Sequence, residues 1–254
     1  MGAQTPEAQR VDLYETLYNS RNPTRRWLHC TRRDWIMARI AECAQERPGR
    51  ALEVGFGAGI YLKTLASHYD EVYATDLNDY QIDHARAQVA GLDNVRLLID
   101  DITDTRLPER SFDLVVCSEV LEHIADPRRA IDGIRRVIAP GGLVLVSTPQ
   151  RYSLMELTCK VAFMPGIIEL VRRIYAEPVL ETGHISLMTG RQMRDALEGA
   201  GFRIRQQFKS GLYLPLIAEF AGPAGMRFAR WLEQRLRRGP LSWMLWTQYY
   251  VAQS

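Results

Sequence analysis

Between residues 51 and 147, short apolar runs alternate with segments of helical periodicity, and this alternation limits the possible folds more than any other feature of the chain. The apolar runs have the length and the aliphatic composition of buried strands, and they cover residues 51–54, 71–76, 94–99, 112–117 and 143–147. Strands that are apolar along their whole length and separated by helices are typical of a parallel sheet covered on both faces. The pattern therefore predicts an α/β fold.

Outside this segment the pattern changes. We interpret the chain as one domain with four parts: an N-terminal helical addition (1–48), a ligand-binding core (49–149), an apolar helical insertion (150–188) and a completion of the core (189–254). Within these parts the periodicity predicts helices over 127–138, 154–163, 167–175 and 191–200, and a mostly helical, amphipathic stretch over 212–241. Pro140-Gly141-Gly142 is the predicted stop of the first helix, and Thr189 the predicted N-cap of the fourth. The remaining predicted strands cover 202–208 and 246–252.

The composition is that of an ordinary globular protein, with 46% hydrophobic and 24% charged residues, which excludes a disordered or collagen-like chain. A formal net charge of +2 gives no reason to expect a nucleic acid partner. The four cysteines form no CxxC pair, which argues against a zinc module or a disulfide scaffold. The first ten residues lack the apolar core of a secretory signal, and no run approaches the roughly 20 apolar residues that span a bilayer. We expect a cytoplasmic protein.

A glycine-rich loop, EVGFGAG at residues 53–59, follows the first predicted strand. Glycines at alternate positions allow a sharp turn and the close approach of a ligand to the backbone. The helix that follows offers free N–H groups and the positive end of its dipole. A dinucleotide-binding fingerprint would place its third glycine at Ile60 rather than at Gly59, so the spacing points away from a dinucleotide site.

Polar residues follow the next three predicted strands. Asp76 ends the second strand, where a carboxylate can accept hydrogen bonds from two ribose hydroxyls. The sequence Asp100-Asp101-Ile102 follows the third, where a carboxylate can bind an adenine amino group while the next backbone N–H meets the ring. Residues 118–123 (SEVLEH) follow the fourth. Because open α/β sheets bind ligands at the carboxyl ends of their strands, we expect a ligand site at this edge.

Taken together, these motifs resemble those of the class I S-adenosylmethionine-dependent methyltransferases. ALEVGFGAG, VYATDLN, LLIDDI, FDLVVCSEVLEH and IAPGGLVLVSTP occur in the order and spacing of that family over about residues 51–148, and GHISLMTGRQMRDALEGAGF extends the resemblance to about residue 202. The resemblance implies a Rossmann-like, seven-stranded, mostly parallel sheet in the order 3-2-1-4-5-7-6, with an antiparallel last strand and a lid formed by the additions. It also implies S-adenosylmethionine as cofactor and S-adenosylhomocysteine as product.

The resemblance further implies which residues hold the cofactor. Those near its methionine part and amino group are Glu53, Gly55, Phe56, Gly57, Gly59 and Ser118. Those at its ribose and adenine are Asp76, Leu77, Asp101 and Ile102.

The candidates for chemistry lie after the fourth strand and in the insertion. A base is needed only when the acceptor is a phenol, an alcohol or a carbon acid, and the candidates are His123, Glu122, Glu119 and His184. The cluster of Glu119, Glu122 and His123 resembles a pattern in ubiquinone-pathway O-methyltransferases, where such residues can approach a divalent cation or act as a base. For His123 a structural role beneath the cofactor stays open, and for His184 a structural hydrogen bond.

All five tryptophans lie toward the chain ends, close to two groups of arginines. We predict two roles for these additions: contact with acidic headgroups at the inner membrane surface, and an entrance for an apolar substrate. The alternative is a lid that packs on the sheet and whose arginines are solvated. The arginines are Arg25, Arg26, Arg32 and Arg33 beside Trp27, and Arg227, Arg230, Arg235, Arg237 and Arg238 beside Trp231. The entrance residues are Phe163, Met164, Ile167, Ile168 and Leu170.

The predicted function is methyl transfer from S-adenosylmethionine to a small, apolar or lipid-like acceptor, at oxygen first and at carbon next. A regulatory or scaffold protein that keeps the cofactor site without transfer is the first alternative. Aminopropyl transfer from decarboxylated S-adenosylmethionine is the second, although a polyamine channel would be acidic, whereas residues 151–183 are mostly apolar, with as many basic as acidic residues. The acceptor, the metal dependence and the oligomeric state do not follow from the sequence, because acceptor pockets are built from variable additions.

Overall fold

Seven strands and seven α-helices make up the computed structural model, which describes residues 17–20, 22–164, 166, 183–214, 217 and 221–254. The strands are β1 (Arg50–Val54), β2 (Glu71–Asp76), β3 (Val95–Ile99), β4 (Phe112–Ser118), β5 (Ile138–Pro149), β6 (Arg203–Ser210) and β7 (Thr247–Gln253). The helices in these ranges are α1 (Pro23–Glu46), α2 (Leu62–His68), α3 (Asp79–Gln88), α4 (Pro127–Val137), α5 (Leu154–Ala162), α6 (Gly190–Gly199) and α7 (Gly222–Leu236). Short 3-10 turns cover Ile102–Asp104, Leu121–His123 and Pro240–Met244.

The strands form one sheet in the order β3-β2-β1-β4-β5-β7-β6, which confirms the prediction. Strands β1 to β5 pair in parallel, and β7 is antiparallel to both β5 and β6. In register, Val54 lies between Thr75 and Cys117, so the ends of β1, β2 and β4 lie side by side. The loops that follow these strands therefore meet at one edge of the sheet.

Apolar side chains cover both faces of the sheet. On one face Val115 and Val144 pack with Ile131 and Ile134 of α4 and with residues of α6. On the other face the core includes Ile36 and Ile40 of α1, together with residues of α2, β4 and β5. The helical addition before β1 is therefore part of the core that supports the sheet.

The helix ends follow from local sequence. Asn22 accepts hydrogen bonds from the N–H groups of Thr24 and Arg25, and Pro23 occupies the first turn of α1. Thr189 caps α6 in a capping box with Gln192, as predicted. Such caps provide partners for N–H groups that the first helical turn leaves unpaired.

One predicted boundary is wrong. Helix α4 ends at Val137, within one residue of the prediction, but the segment Pro140-Gly141-Gly142 lies within β5 as an irregularity in the ladder with β4. Gly141 has φ +73°, and a Cβ on Gly142 would approach the Ala139 carbonyl oxygen to 2.9 Å, so these glycines allow a bulge rather than a helix stop. Helix α7 lies within the stretch predicted to be mostly helical over 212–241, with Pro223 in its first turn, and Gly239 precedes the 3-10 turn that follows. Residues 215, 216 and 218–220 of that stretch lie outside the described residues.

Other predictions about the additions are confirmed where the structure describes them. The helix predicted over 154–163 is α5, the strand predicted over 202–208 is β6 and the last strand is β7. The helix predicted over 167–175, with the entrance residues Ile167, Ile168 and Leu170, lies outside the described residues. Within the described ranges, no helix is both long enough and apolar enough to cross a bilayer.

Candidate active site

The loop after β1 contains three glycines with positive φ: +62° at Gly55, +51° at Gly57 and +68° at Gly59. A Cβ on Gly55 would lie 2.7 Å from Cγ2 of Val120, so this glycine is needed for close packing. A Cβ on Gly57 would meet no atom within 4 Å, because the backbone there borders an open cleft. The loop thus leaves its main chain accessible to a ligand at Gly57.

The carboxylate of Asp76, at the end of β2, shapes this loop. One of its oxygens accepts a hydrogen bond from the N–H of Gly57 at 3.0 Å, and the other accepts one from the N–H of Asn78 at 3.0 Å. Its neighbour Leu77 is 68% exposed at the wall of the cleft. An exposed leucine beside a half-buried carboxylate suits a ligand with an apolar ring and vicinal hydroxyls.

The acidic residues after β3 have different roles. Asp101 accepts a hydrogen bond from the N–H of Thr103 at 2.8 Å and caps the 3-10 turn that follows. Asp100 accepts one from the N–H of Arg106 at 2.9 Å, and its second oxygen is buried without a partner in the described part of the chain. The side chain of Ile102 is buried in the core, so the part of this residue available to a ligand is its main chain.

A polar network lies beneath the ends of β4 and β5. The hydroxyls of Ser118 and Ser147 are 2.9 Å apart, and Tyr61 Oη lies 3.4 Å from Ser118 Oγ. Ser147 donates to the carboxylate of Glu119 at 3.1 Å, and Arg32 of α1 donates to the other oxygen of that carboxylate at 2.6 Å. Glu119 also has φ +57°, a conformation uncommon for residues other than glycine. Such strain is typical of residues held in place at a functional site.

The loops that follow β1, β2, β3 and β4 border a cleft of about 810 Å³. Among the predicted site residues, those that line it are Gly55, Gly57, Asp76, Leu77, Asp101, Ile102, Glu119 and His123. Other lining residues, outside the predicted set, include Asn78, Gln81, Val120 and Arg129. The cleft thus combines acidic groups with apolar walls.

Several other predicted residues lie behind this lining. The side chain of Phe56 packs in a small core with Leu62, Ala74 and Ile82, so its main chain is the part nearest the loop surface. Gly59 is buried, and a Cβ there would lie 2.9 Å from Cδ1 of Leu62. The buried packing of Phe56 and Gly59 therefore supports the loop, and neither residue lines the cleft.

Glu53 lies at the end of β1, and its carboxyl is buried. Burial, and then the nearby charge of Asp76, raise its pKa to about 8. One of its oxygens has no hydrogen-bond partner among the described residues. A buried acid with a free oxygen can stabilise a cationic group of a ligand.

Glu122, His123 and His184 form a second cluster. Each offers one ligand atom, and the three atoms lie within 4.8 Å of one another. Glu122 is fully buried, accepts a hydrogen bond from Thr148 Oγ1 at 3.0 Å and has a second oxygen without a partner in the described ranges. Burial, and then the charge of Glu119, hold its pKa well above the usual range. The set of one carboxylate and two imidazoles suits a divalent cation.

The surroundings of the two histidines differ. His123 is exposed at the cleft, with Nδ1 3.3 Å from the carbonyl oxygen of Gly183, and partial burial lowers its pKa. His184 is largely buried, and its Nδ1 lies 3.2 Å from Oε1 of Glu156 without hydrogen-bond geometry. The ring centroids of the two histidines are 5.3 Å apart. Glu119, the third member of the predicted cation cluster, is instead paired with Arg32.

Arg32, Tyr61 and Ser147 belong to the polar network beneath the ends of β4 and β5 but are not among the predicted site residues. Arg32 was placed among the arginines that meet headgroups, and this prediction is wrong because its side chain is 7% exposed and paired with Glu119. A basic residue inside the apolar face of α1, between Leu28 and Ile36, was a signal that could have identified it. Ser147 gave a weaker signal, as a hydroxyl at the end of the otherwise apolar predicted strand over 143–147.

Comparison with known proteins places this geometry in a family. The sequence pattern of the methyltransferase domain matches residues 25–207. The chain is 31% identical over 118 residues to a demethylmenaquinone methyltransferase of Clavibacter sepedonicus, and the aligned region covers 45% of this chain and 48% of that protein. It is 35% identical over 104 residues to a ubiquinone biosynthesis O-methyltransferase of Coxiella burnetii, covering 39% of the chain and 43% of the relative.

The chain thus spans less than half the length of these two relatives. Among solved structures, a putative sarcosine dimethylglycine methyltransferase from Galdieria sulphuraria is similar in fold, with a TM-score of 0.63 over 96% of this chain and 98% of that one, at 13% identity. The match to the methyltransferase domain spans most of the chain and includes every strand from β1 to β5. The chain belongs to the class I S-adenosylmethionine-dependent methyltransferases.

Proposed function

We propose that the protein transfers a methyl group from S-adenosylmethionine to a small apolar acceptor, with a hydroxyl oxygen as the first candidate for the accepting atom and carbon as the next. The observation that carries this proposal is the position of His123. It lies at the rim of the cleft that contains Gly57, Asp76 and Asp101, so a basic group adjoins the cofactor site. When bound, the cofactor would supply an electrophilic methyl group on a sulfonium sulfur, with S-adenosylhomocysteine as the leaving group.

We infer the proton path from the hydrogen bond of His123. The Gly183 carbonyl only accepts, so Nδ1 of His123 carries the proton of this contact and Nε2 holds a free lone pair. The lowered pKa of His123 favours the neutral ring. In our proposal Nε2 takes the proton of an acceptor hydroxyl as its oxygen attacks the methyl carbon.

Apolar groups near His123 support an apolar acceptor. Ile185 is 66% exposed, and its N–H donates to the main-chain carbonyl of Glu122 at 2.9 Å, beside the two histidines. Helix α5 carries exposed Leu157 and Val161, and its Glu156 contacts His184. Two relatives named as quinone-pathway methyltransferases are consistent with an aromatic hydroxyl or a quinone ring. Exposed apolar side chains next to a polar reactive group are typical of such sites.

The test is a labelled-methyl transfer assay against lipid and small-molecule extracts of the source cell, with and without a chelator. We expect the label to enter an apolar product, and His123→Asn to abolish transfer while cofactor binding is retained. Loss of transfer with chelator would favour a cation held by Glu122, His123 and His184 over His123 as the base, because Nδ1 donates to Gly183 and the Nε2 lone pair can serve only one of these roles. Cofactor binding without transfer to any extract would contradict the proposal and favour a regulatory protein.

We also propose that α7 places the protein against an anionic lipid surface. Phe228 and Trp231 of α7 stack on each other and are 47% and 51% exposed. The guanidinium of Arg235 lies over the Trp231 ring, and that of Arg230 lies over Trp27 of α1. An exposed aromatic pair flanked by arginines is suited to the interface of an anionic bilayer.

Liposome co-sedimentation tests this second proposal. We expect binding to anionic vesicles at low salt, weaker binding at high salt, and a loss of binding in Phe228→Ser/Trp231→Ser. Equal binding to neutral and anionic vesicles, or full binding by the double variant, would contradict it.

A further inference from the structure

A second cavity, which we call the basic cavity, lies at the β6 edge of the sheet and has a volume of about 450 Å³. It is bordered by β6, by α6 and by the segment after α7, and it shares no lining residue with the cofactor cleft. Its described lining residues are Arg194, Gln207, Phe208, Lys209, Arg237, Arg238 and Ser242. The methyl transfer proposed above uses none of them.

The lining of the basic cavity carries four cations and no carboxylate in the described part of the chain. Arg237 pairs with Glu233, whose carboxylate also accepts hydrogen bonds from the N–H groups of Gly211 and Leu212. No carboxylate among the described residues pairs with the other three cations of the lining, Arg194, Lys209 and Arg238. The cavity therefore has a net positive charge that the described chain does not neutralise.

Two of these cations converge on one place. Nη1 of Arg194 and Nζ of Lys209 each lie 3.7 Å from the position that a Cβ on Gly190 would occupy, so they are no more than twice that distance apart. Lys209 is half-buried, and burial together with the charge of Arg194 lowers its pKa. Like charges held this close in a half-buried cavity repel each other, and an anion between them would relieve that repulsion.

Other donors in the cavity suit a tetrahedral anion. Ser242 Oγ lies 3.4 Å from Nζ of Lys209, and the Arg237 guanidinium carbon lies over the Phe208 ring, 4.6 Å from its centroid. Guanidinium and ammonium groups bind phosphate oxygens through short, charge-assisted hydrogen bonds. A phosphate carries up to two negative charges, so it offsets the excess of cations better than a carboxylate does.

We propose that the basic cavity binds a phosphate group, presented either by a soluble phosphate ester or by an anionic lipid headgroup. The two neighbours of Ser242 on the 3-10 turn, Leu241 and Trp243, are 48% and 40% exposed beside the cavity. The site is separate from the cofactor cleft and from the Phe228–Trp231 pair, and it does not depend on the proposed methyl transfer.

Equilibrium dialysis of the full chain with labelled inorganic phosphate, at constant ionic strength, tests the proposal. We expect saturable binding, and we expect Arg194→Gln and Lys209→Gln each to weaken it roughly tenfold, since each removes a charge-assisted hydrogen bond. Lys209→Arg keeps the charge and should retain binding. Arg191→Gln is the matched control, because Arg191 lies on the same helix, is 87% exposed and faces Asp195 at 3.8 Å. Circular dichroism verifies that each variant is folded.

Vesicles of phosphatidylcholine with and without phosphatidic acid distinguish the two sources of the phosphate. Binding to phosphatidic acid that Lys209→Gln removes and Arg191→Gln preserves assigns the site to a lipid headgroup. Binding of inorganic phosphate with the same variant pattern and no effect on vesicles assigns it to a soluble ester. Absence of saturable binding to both probes, or equal weakening by Arg191→Gln, would overturn the proposal.

Discussion

Replacing Arg32 by Met tests how the N-terminal helix supports the active site. Arg32 donates to Glu119 at 2.6 Å and approaches Nδ1 of His29 at 3.1 Å, and the side chains of the ion pair are 7% and 17% exposed. Arg32→Met leaves the Glu119 carboxylate without its cation at a largely buried position. Breaking a buried pair in this way costs about 3–5 kcal/mol, and the partial exposure of Glu119 places the expected loss near the lower end, at about 3 kcal/mol.

Thermal and urea unfolding measure this loss. For a chain of this size, about 3 kcal/mol corresponds to a fall in Tm of roughly 6–12 °C. Arg33→Met is the control, because Arg33 pairs with Asp34 at the surface and its loss should cost about 1 kcal/mol or less. The double variant Arg32→Met/Glu119→Gln removes both charges, so we expect it to be more stable than Arg32→Met alone.

Two results would refute this reasoning. One is a loss below about 1 kcal/mol in Arg32→Met, which would mean that the pair behaves like a surface ion pair. The other is a double variant whose loss equals the sum of the two single losses, since additivity would mean that Arg32 and Glu119 do not interact.

Three further predictions concern pH and the glycine loop. Because the pKa of Glu53 is raised to about 8, binding of a cationic cofactor beside it should release a proton. The cofactor affinity should therefore rise with pH toward about 8. Calorimetry of Glu53→Gln should show that this pH dependence is lost. Burial, and then Arg32 and Arg25, hold the pKa of His29 well below 6.5, so the unfolded state binds more protons just below that value. Stability should therefore decrease as the pH falls below about 6.5, by up to about 1.4 kcal/mol per pH unit, and urea titrations of His29→Asn should show a smaller slope. Gly57→Ala should cost about 1 kcal/mol of stability, because residue 57 has a φ of +51°, and it should weaken cofactor binding strongly. Gly55→Ala should lower Tm further, because its Cβ would clash with Val120. Unchanged cofactor affinity in Gly57→Ala would contradict the assignment of this loop to the cofactor site.

The sheet could be predicted because its signals are local or repeat along the chain. Apolar runs identify β1 to β5, and the spacing of the glycine loop, Asp76 and Asp101 carries the family resemblance, which in turn supplies the strand order. The bulge in β5 could not be predicted in the same way, since Pro140-Gly141-Gly142 is as typical of a helix stop as of an irregular strand.

The site could be predicted only in part, because its side chains pair across long stretches of sequence. Arg32 and Glu119 are 87 residues apart, and nothing in the local pattern indicates their contact. His184 meets Glu156 and His123 only because the chain returns to the end of β4 after the insertion. The roles of the predicted cofactor residues and the division into parts of one domain stay predictions.

Calorimetry of the purified protein with S-adenosylmethionine and S-adenosylhomocysteine tests the central claim most directly. We predict that both bind, and that Asp76→Ala weakens both at least tenfold through loss of the proposed ribose contact and of the loop hydrogen bonds to Gly57 and Asn78. Asp83→Ala is the control, because Asp83 is exposed on α3 and pairs only with Arg86 among the described residues. Failure of the wild-type protein to bind either compound, or equal affinity in Asp76→Ala, would contradict the assignment of this cleft as the cofactor site.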